Sequence, residues 1–346
     1  MHSANPSIVI HAARDLRVEE RDTPDIGAGQ VLIKMQAGGI CGSDLHYYKH
    51  GGFGPIQLRE PMVLGHEVSG EIVAIANNVS GLSVGQLVAV SPSRACQSCE
   101  YCLKGQQNHC LNMRFYGSAM PFPHIQGAFQ KALVADASQC VPADGLTAAQ
   151  AAMAEPLAVC LHAVKQAGDL MGKTVLITGC GPIGCLSILA ARRSGAAQII
   201  ATDLSDFTLG KARECGADVA LNTRTDPKAL APYQSDKGQI DVHLECSGAA
   251  AALAAGVACL RPKATLVQLG LGGNMTVPMQ AMTAKEITLR GSFRFHEEFA
   301  TAVQMMQRGL IKVDPLITHS FDIADAVEAF HTANDRSSAM KVQLTF

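Results

Sequence analysis

The sequence predicts an α/β protein that combines a doubly wound parallel sheet with a second, mainly β domain. Apolar strands alternate with helical stretches from about residue 172, which is typical of a parallel sheet covered by helices on both faces. The first 150 residues instead show short strands between glycine and proline turns, as in a barrel-like β domain. A length of 346 residues exceeds one comfortable core, so two domains are expected.

The elements of the alternating part follow from its apolar runs. Short apolar runs bounded by turn residues indicate strands, and the longer segments between them indicate helices. Strands are predicted at 173–179, 197–203, 240–246, 264–270 and 287–293, with helices at 182–196 and 206–217.

The mainly β part is less regular. Residues 30–37 and 70–76 are predicted strands, and the segment GGICGSDLHYY at 38–48 is predicted to be a glycine-punctuated turn. Beyond residue 294, a helix and a strand-like ending, KVQLTF, are expected to return to the first domain.

Composition argues against several classes of partner. A net charge of −2 and a pI near 6.6 do not fit a nucleic-acid-binding protein. The sequence contains no run of 18 or more apolar residues, so no membrane span is predicted. Residues 1–16 also lack the basic and apolar regions of a secretory signal. We therefore expect a cytosolic protein with no membrane or nucleic-acid partner, in which the 12 cysteines stay reduced.

The segment TGCGPIG places Gly179, Gly181 and Gly184 in a G-x-G-x-x-G pattern between a predicted strand and a predicted helix. Glycines here allow a tight turn and let backbone N–H groups approach a pyrophosphate, which the helix N-terminus stabilises. Pro182 fits the first helical turn, where its missing N–H is not needed. The pattern predicts a dinucleotide site.

Asp203 ends the next predicted strand, nineteen residues after Gly184. A carboxylate at this place accepts hydrogen bonds from ribose hydroxyls and repels a 2′-phosphate. Leu204 and Ser205 follow, with no adjacent arginine. NAD is therefore predicted over NADP, with NADP use still possible.

Four cysteines cluster in CQSCEYCLKGQQNHC with the spacing C-x₂-C-x₂-C-x₇-C. Thiolates at such intervals can converge on one tetrahedral zinc and leave no position open for chemistry. A structural zinc is therefore predicted in the loop 94–112, held by Cys96, Cys99, Cys102 and Cys110.

A second set of candidate ligands is spread along the chain: Cys41, His66, Glu67 and Glu155. Each is a weak signal alone, because a single histidine or glutamate in a loop is more often structural. Beside a dinucleotide site and a separate cysteine cluster, the set favours a catalytic zinc with an open position.

Several segments together resemble the zinc-containing medium-chain dehydrogenases, and within them the polyol dehydrogenase branch. The likeness covers essentially the whole chain and implies a GroES-like catalytic domain over 1–155, a Rossmann domain over 156–292 and a return to the catalytic domain over 293–346. The segments that carry it are GGICGSDLHYY, PMVLGHEV, MRFYGSAM, AEPLAV, GPIGCL and LRGSFRF.

The resemblance also implies roles at the zinc site. Cys41 and His66 would bind the catalytic zinc, one of Glu67 and Glu155 would ligate directly, and the other would hold the zinc-bound water; which does which stays open. Asp44 would accept a hydrogen bond from His66. Further contacts to the cofactor would come from Ile183, Leu269, Gly270, Ser292 and Phe293.

A zinc ion with an open position lowers the pKa of a hydroxyl bound to it, so that a substrate alcohol can lose its proton before hydride leaves its carbon. By the resemblance, Ser43 would pass this proton through the cofactor ribose to His46, whose ordinary pKa near 6.5 suits an acceptor.

Substrate contacts are implied in the same way. Tyr47 and Phe115 would line the pocket, and Tyr48 is expected to be packing. A sugar acid would need a cation with fork geometry, which favours arginine. The candidates are Arg294 first, with Arg114 and Lys341 as alternatives.

The expected reaction is the reversible NAD-dependent oxidation of a secondary alcohol on a sugar acid, L-idonate giving 5-keto-D-gluconate. Neutral polyols such as sorbitol or xylitol, and L-threonine, are alternatives, because arginine also binds hydroxyls. A non-catalytic structural or binding member of the fold is the alternative class, but it would be expected to have lost Cys41, His66 or the four-cysteine set. By analogy, the protein is expected to form a tetramer or a dimer.

Overall fold

The computed structural model describes residues 4–346; residues 1–3, which the sequence assigns to the first domain and to the region without a secretory signal, lie outside the described part. The strands are β1 (Ala4–Ala12), β2 (Asp15–Asp22), β3 (Gln30–Gly39), β4 (Gly52–Phe53), β5 (Ile56–Gln57), β6 (Met62–Val63), β7 (Glu67–Ile75), β8 (Leu87–Val90), β9 (Ser93–Arg94), β10 (Arg114–Phe115), β11 (Ala132–Asp136), β12 (Cys140–Pro142), β13 (Thr174–Thr178), β14 (Gln198–Asp203), β15 (Val219–Asn222), β16 (Ile240–Glu245), β17 (Leu260–Gln268), β18 (Thr288–Gly291), β19 (Ile317–Asp322) and β20 (Lys341–Thr345). The α-helices are α1 (Gly42–His50), α2 (Glu100–Leu103), α3 (Ala148–Ala152), α4 (Ala154–Ala167), α5 (Pro182–Arg193), α6 (Asp206–Glu214), α7 (Ala250–Cys259), α8 (Met279–Ala284), α9 (Glu298–Gln307) and α10 (Ala326–Asn334).

Six strands form a parallel sheet in the order β15-β14-β13-β16-β17-β18, which confirms the doubly wound fold. Its central strands are buried on both faces: Val175 and Ile177 of β13 pack into one core, and Leu176 packs into another. Such strands give continuous apolar runs instead of alternation. The central strands were therefore predicted close to their observed positions, whereas β15 and α7 were not predicted.

A second, seven-stranded sheet has the order β12-β8-β7-β3-β20-β19, and β11 pairs with residues 30–34 of β3, on the same edge that β20 pairs with further along. The last strand, β20, runs antiparallel to β3 and pairs Gln343 with Gly39. The chain thus returns to this sheet after leaving the parallel one. The boundary proposed between residues 155 and 156 falls in the first turn of α4, and the domain limits stay a prediction.

Helix α1 differs from the turn predicted for residues 38–48. The Asp44 side chain accepts a hydrogen bond from the backbone N–H of Cys41, which precedes the first helical residue, at 3.0 Å. Gly51 ends the helix in the left-handed region at φ 70°. The glycines at the start suggested a turn, but a carboxylate at the third helical position satisfies a free N–H there.

Helix α4 runs from the second sheet into the body of the parallel-sheet domain. Its apolar face, including Leu157 and Leu161, packs in the same core as α5 and α9. Over residues 4–346, none of the helices has both the length and the apolar character needed to cross a membrane.

Candidate active site

The register between β3 and β7 builds the first group of site residues. Gly39 at the end of β3 pairs with Glu67 at the start of β7, so Cys41 lies beside the His66–Glu67 segment. One donor atom from each of Cys41, His66 and Glu67 lies within 4.8 Å of the others. Sulfur, nitrogen and carboxylate oxygen are the donors that zinc accepts.

The surroundings of the His66 ring bear on its predicted contact with Asp44. Its ring is buried, and its Nδ1 atom has no hydrogen-bond partner among the described residues. The predicted acceptor, Asp44, lies behind it, but the distance from Nδ1 to the Asp44 Oδ1 atom is 3.7 Å, which is too long for a hydrogen bond. Asp44 instead accepts from the backbone of Cys41 at 3.0 Å and of Gly65 at 3.2 Å, and so joins the two segments that carry Cys41 and His66.

Lys341 lies next to the group formed by Cys41, His66 and Glu67. Its ammonium contacts the two Glu67 carboxylate oxygens at 2.7 and 2.6 Å and the carbonyl oxygen of Ile40 at 3.3 Å. An ammonium has three N–H donors, and all three are used. With 3% of its surface exposed, Lys341 cannot reach a substrate, so its assignment as an alternative substrate-binding cation is wrong.

Gly39 is required by this packing. A Cβ atom at that position would lie 2.2 Å from the Glu67 Oε2 atom. Real Cβ atoms do not approach so closely, so any side chain here would displace the carboxylate from Lys341.

Glu155 enters from the first turn of α4 and is buried. Burial raises the pKa of Glu155 to about 8, an effect that His66 opposes and that Glu67 and Cys41 strengthen. Glu67 lies in the 4.8 Å group with Cys41 and His66, whereas Glu155 lies outside it. A role for Glu155 at the zinc stays a prediction.

The four clustered cysteines converge as the spacing predicts. One sulfur from each of Cys96, Cys99, Cys102 and Cys110 lies within 4.8 Å of the others. The backbone N–H of Cys96 donates to the Cys110 sulfur at 3.2 Å. A closed set of four thiols fits a tetrahedral zinc.

The glycine pattern forms a tight loop between β13 and α5. A Cβ atom at Gly184 would lie 1.8 Å from the carbonyl oxygen of Gly179, and Gly179 itself has φ +84°. Beside Gly181, by contrast, a Cβ would meet no described atom within 4 Å. At Gly179 and Gly184 the loop packs tightly against neighbouring backbone, whereas space is free beside Gly181, just before Pro182 starts α5. Free space at a helix N-terminus fits a pyrophosphate.

Asp203 ends β14 beside this loop. Its Oδ2 atom accepts from the N–H of Cys180 at 2.6 Å, and its Oδ1 atom accepts from Leu204 and Ser205 at 2.7 and 3.0 Å. Carboxylate oxygens have further lone pairs for ribose hydroxyls. Ile183, in contrast, packs against the core of the parallel-sheet domain.

A cavity of about 440 Å³ lies beyond the carboxyl ends of β17 and β18. Ligands bind at this edge of doubly wound sheets. Four predicted cofactor residues line it: Leu269, Gly270, Ser292 and Phe293. Other lining residues were not predicted from the sequence, among them His109, His162, Gln166 and Gln268.

Glu245, a fully buried carboxylate at the end of β16, was not predicted from the sequence either. It accepts from the N–H groups of Ser247 and Gly248 at 2.8 and 2.9 Å and from the Gln268 amide at 2.6 Å. It thereby fixes the loops after β16 and β17. Polar residues that end apolar strands were the available signal, because Glu245 and Gln268 both hold such positions.

On the substrate side, Arg294 lies half-buried with its guanidinium carbon 4.3 Å from the centre of the Phe115 ring. The Phe115 ring lies 5.6 Å from the His66 ring. Burial lowers the pKa of Arg294, and the nearby Glu155 carboxylate opposes this. A cation thus lies on the Phe115 ring, which itself neighbours the His66 ring, whereas the alternative Arg114 is exposed.

The tyrosines of α1 are packed. Tyr47 has 2% of its surface exposed, and its hydroxyl accepts from the N–H of Ala119 at 3.0 Å. Tyr48 bonds His331 at 2.8 Å and packs against Phe330. A role for Tyr47 as a wall of the substrate pocket stays a prediction.

Ser43 and His46 lie one turn apart on α1, with Ser43 half-buried and His46 exposed. Partial desolvation of the ring by the residues around it, followed by the charges of His50, Lys49 and Arg336, lowers the pKa of His46. The histidine is therefore a neutral base over most of the physiological pH range.

Comparison with known families identifies the class that this fold and site define. A family model for the alcohol dehydrogenase GroES-like domain matches residues 27–145, and one for zinc-binding dehydrogenases matches residues 182–308. The chain belongs to the zinc-binding dehydrogenase family, as the sequence segments predicted.

Particular relatives narrow the comparison. The chain is 42% identical to L-idonate 5-dehydrogenase (NAD(P)(+)) of Escherichia coli K12 over the full length of both proteins. The crystal structure of L-idonate 5-dehydrogenase from E. coli K-12 superposes with a TM-score of 0.95 over 100% of this chain and 99% of that one. Sorbitol dehydrogenase of Bos taurus is 37% identical, over 98% of this chain and 96% of the relative.

Proposed function

We propose that this protein is a zinc- and NAD(P)-dependent dehydrogenase that oxidises a secondary hydroxyl of L-idonate, giving 5-keto-D-gluconate. The observation that carries the sugar-acid assignment is Arg294, whose guanidinium is stacked on Phe115 next to the metal donors. A planar guanidinium can bind a carboxylate through two parallel hydrogen bonds. The 42% identity to an L-idonate 5-dehydrogenase supports the same substrate.

Cys41, His66 and one of the two nearby acids would hold the catalytic zinc, and the four-cysteine loop would hold the structural one. The catalytic ion supplies Lewis acidity that lowers the pKa of the substrate hydroxyl. Glu67 already shares its charge with Lys341, whereas Glu155 has no such cation bonded to it among the described residues. Glu155 is therefore the acid better placed to respond to a change at the metal.

Proton removal would use helix α1. Ser43 lies in the first turn, next to Cys41, and would contact the reacting hydroxyl. His46, one turn further and exposed, would deliver the proton to solvent. Its lowered pKa keeps the imidazole free to accept a proton at neutral pH.

The cofactor would bind along the carboxyl edge of the parallel sheet. The loop at Gly181 and the start of α5 would receive the pyrophosphate, and Asp203 would receive the ribose hydroxyls. The nicotinamide end would enter the cavity lined by Leu269, Ser292 and Phe293. The charge of Asp203 disfavours a 2′-phosphate, which is why we propose NAD as the preferred cofactor.

Initial rates with L-idonate, sorbitol, xylitol and L-threonine, each with NAD and with NADP, test the assignment. We expect the highest kcat/KM for L-idonate with NAD, and metal analysis should find two zinc ions per chain. A neutral polyol that ranks above L-idonate would overturn the sugar-acid assignment and leave the dehydrogenase class intact.

A polyol dehydrogenase is the second candidate, favoured by the 37% identity to a sorbitol dehydrogenase and by the ability of Arg294 to bond hydroxyls. A tetramer or dimer and a cytosolic location remain predictions from the sequence. Size-exclusion chromatography with light scattering would determine the oligomeric state.

A further inference from the structure

The four-cysteine loop, residues 94–112, contacts the Phe293–Arg294 segment, which carries the guanidinium proposed to bind the substrate. Asn108 lies between the predicted zinc ligands Cys102 and Cys110, and its side-chain amide donates to the carbonyl oxygen of Phe293 at 3.1 Å. The two residues are separated by 185 positions in the chain. Asn108 has 8% of its surface exposed, so this contact is shielded from water.

A second contact accompanies the first. The ring of His109 stacks on the ring of Phe293, with the centroids 6.2 Å apart and the planes 26° from parallel. Phe293 also meets the guanidinium of Arg294, whose central carbon lies 4.9 Å from the ring centre. One aromatic ring therefore contacts both the four-cysteine loop and the arginine.

Arg294 has an unfavourable backbone conformation that needs such support. Its φ is +55°, in the left-handed region that side chains other than glycine rarely adopt. Strained residues persist where the surrounding structure holds them. The bond from Asn108 ends on the carbonyl of the peptide that leads directly into Arg294, while Phe295 on the other side is buried in the core.

We propose that Asn108 is a positioning residue for substrate recognition: it holds the Phe293–Arg294 peptide and so ties the four-cysteine loop to the guanidinium that meets the substrate. The proposal rests on the substrate role given to Arg294 above. Because Cys102 and Cys110 flank Asn108, whatever fixes the cysteine cluster also fixes this hydrogen bond. The cluster thus contributes to substrate affinity without touching the substrate.

The test is a double-mutant cycle with Asn108→Ala and Arg294→Ala in the zinc-loaded enzyme. Losing one buried hydrogen bond changes an equilibrium constant by about tenfold. N108A should therefore raise KM for L-idonate about tenfold, while kcat stays within about twofold of the wild-type value. R294A should raise KM more, and the double variant should match R294A alone, because Asn108 acts through that guanidinium. Equilibrium binding of NADH should weaken severalfold in N108A, since Phe293 lines the cofactor cavity.

Controls separate this role from simple loss of the loop. Lys104→Ala, in the same loop with a 63% exposed side chain, should keep the wild-type KM. Zinc content should stay at two ions per chain in N108A. If it falls, the test uses Asn108→Asp instead, because aspartate has the same size and lacks the side-chain N–H that donates to Phe293.

Two results would overturn the proposal. An unchanged KM in N108A, or a full addition of its effect to that of R294A, rejects the positioning role while sparing the function of Arg294. An unchanged KM in R294A rejects the proposed substrate contact, and the positioning role with it.

Discussion

Lys341 and Glu67 form a bidentate ion pair with almost no exposure to solvent, at 2.7 and 2.6 Å, beside the donor atoms of Cys41 and His66. Lys341 begins strand β20 and Glu67 begins strand β7, 274 positions earlier. The end of the chain is thus part of the charge balance at the site.

Replacing Lys341 should destabilise the protein strongly. Lys341→Met leaves the Glu67 carboxylate buried without its partner, and breaking a buried pair in this way costs about 3–5 kcal/mol. The free energy of unfolding, measured with urea, checks this. Lys263→Met removes an exposed pair with Glu286 and should cost about 1 kcal/mol or less. A K341M effect as small as that of K263M would contradict the role given to the pair.

The proton route predicts a pH-dependent effect at His46. His46→Ala should reduce kcat at pH 6–7 more than at pH 9–10, because hydroxide replaces the missing base only when it is abundant. The kcat profile from pH 6 to 10 measures this, with the exposed His296→Ala as a matched control. An equal loss at every pH would argue against the relay.

Cofactor choice is predicted to depend on Asp203. Asp203→Asn keeps the size of the side chain and one of the two oxygens that accept from the loop N–H groups, but it removes the charge that repels a 2′-phosphate. The ratio of kcat/KM for NADP to that for NAD should rise about tenfold, which corresponds to about 1.4 kcal/mol. If the ratio stays constant, another group sets the preference.

His243 should make the protein sensitive to acid. Complete burial lowers the pKa of its imidazole to about 3, from an ordinary value near 6.5 in the unfolded chain. Above pH 6.5 both states are neutral and the full stability is present. As pH falls from 6.5 towards 3, only the unfolded chain takes up the proton, so stability drops by up to about 1.4 kcal/mol per pH unit from this residue.

His243→Gln is the variant that tests this linkage, because glutamine can still bond Thr178, which lies 2.9 Å from the histidine Nε2 atom. Urea unfolding at pH 7, 6 and 5 should show a shallower pH dependence for H243Q than for the wild type. Identical slopes would mean that the buried ring does not carry the acid sensitivity.

Much of the parallel-sheet domain could be predicted because its signals are local. An apolar strand, a glycine pattern and a terminal aspartate occupy one short stretch, and the fold places Gly179, Gly184 and Asp203 accordingly. The cysteine cluster is equally local. Helix α3 also had a signal that was not used, since Thr147 and Gln150 form a reciprocal capping box.

The remaining features depend on contacts between distant segments. The pairing of Lys341 with Glu67 and of Asn108 with Phe293 spans 274 and 185 positions, and no pattern within a window of residues indicates either. Helix α1 was missed because its glycines suggested a turn, while the Asp44 side chain that stabilises its start also bonds Gly65, across the site.

Helix α4 carries Glu155 in its first turn and continues as part of the core of the parallel-sheet domain. Cys41 and His66, in contrast, are fixed to the other sheet. A rotation of one sheet against the other would therefore change the distance from the Glu155 carboxylate to the thiol and the imidazole. The spacing of these three groups would then report how the two sheets are placed relative to each other.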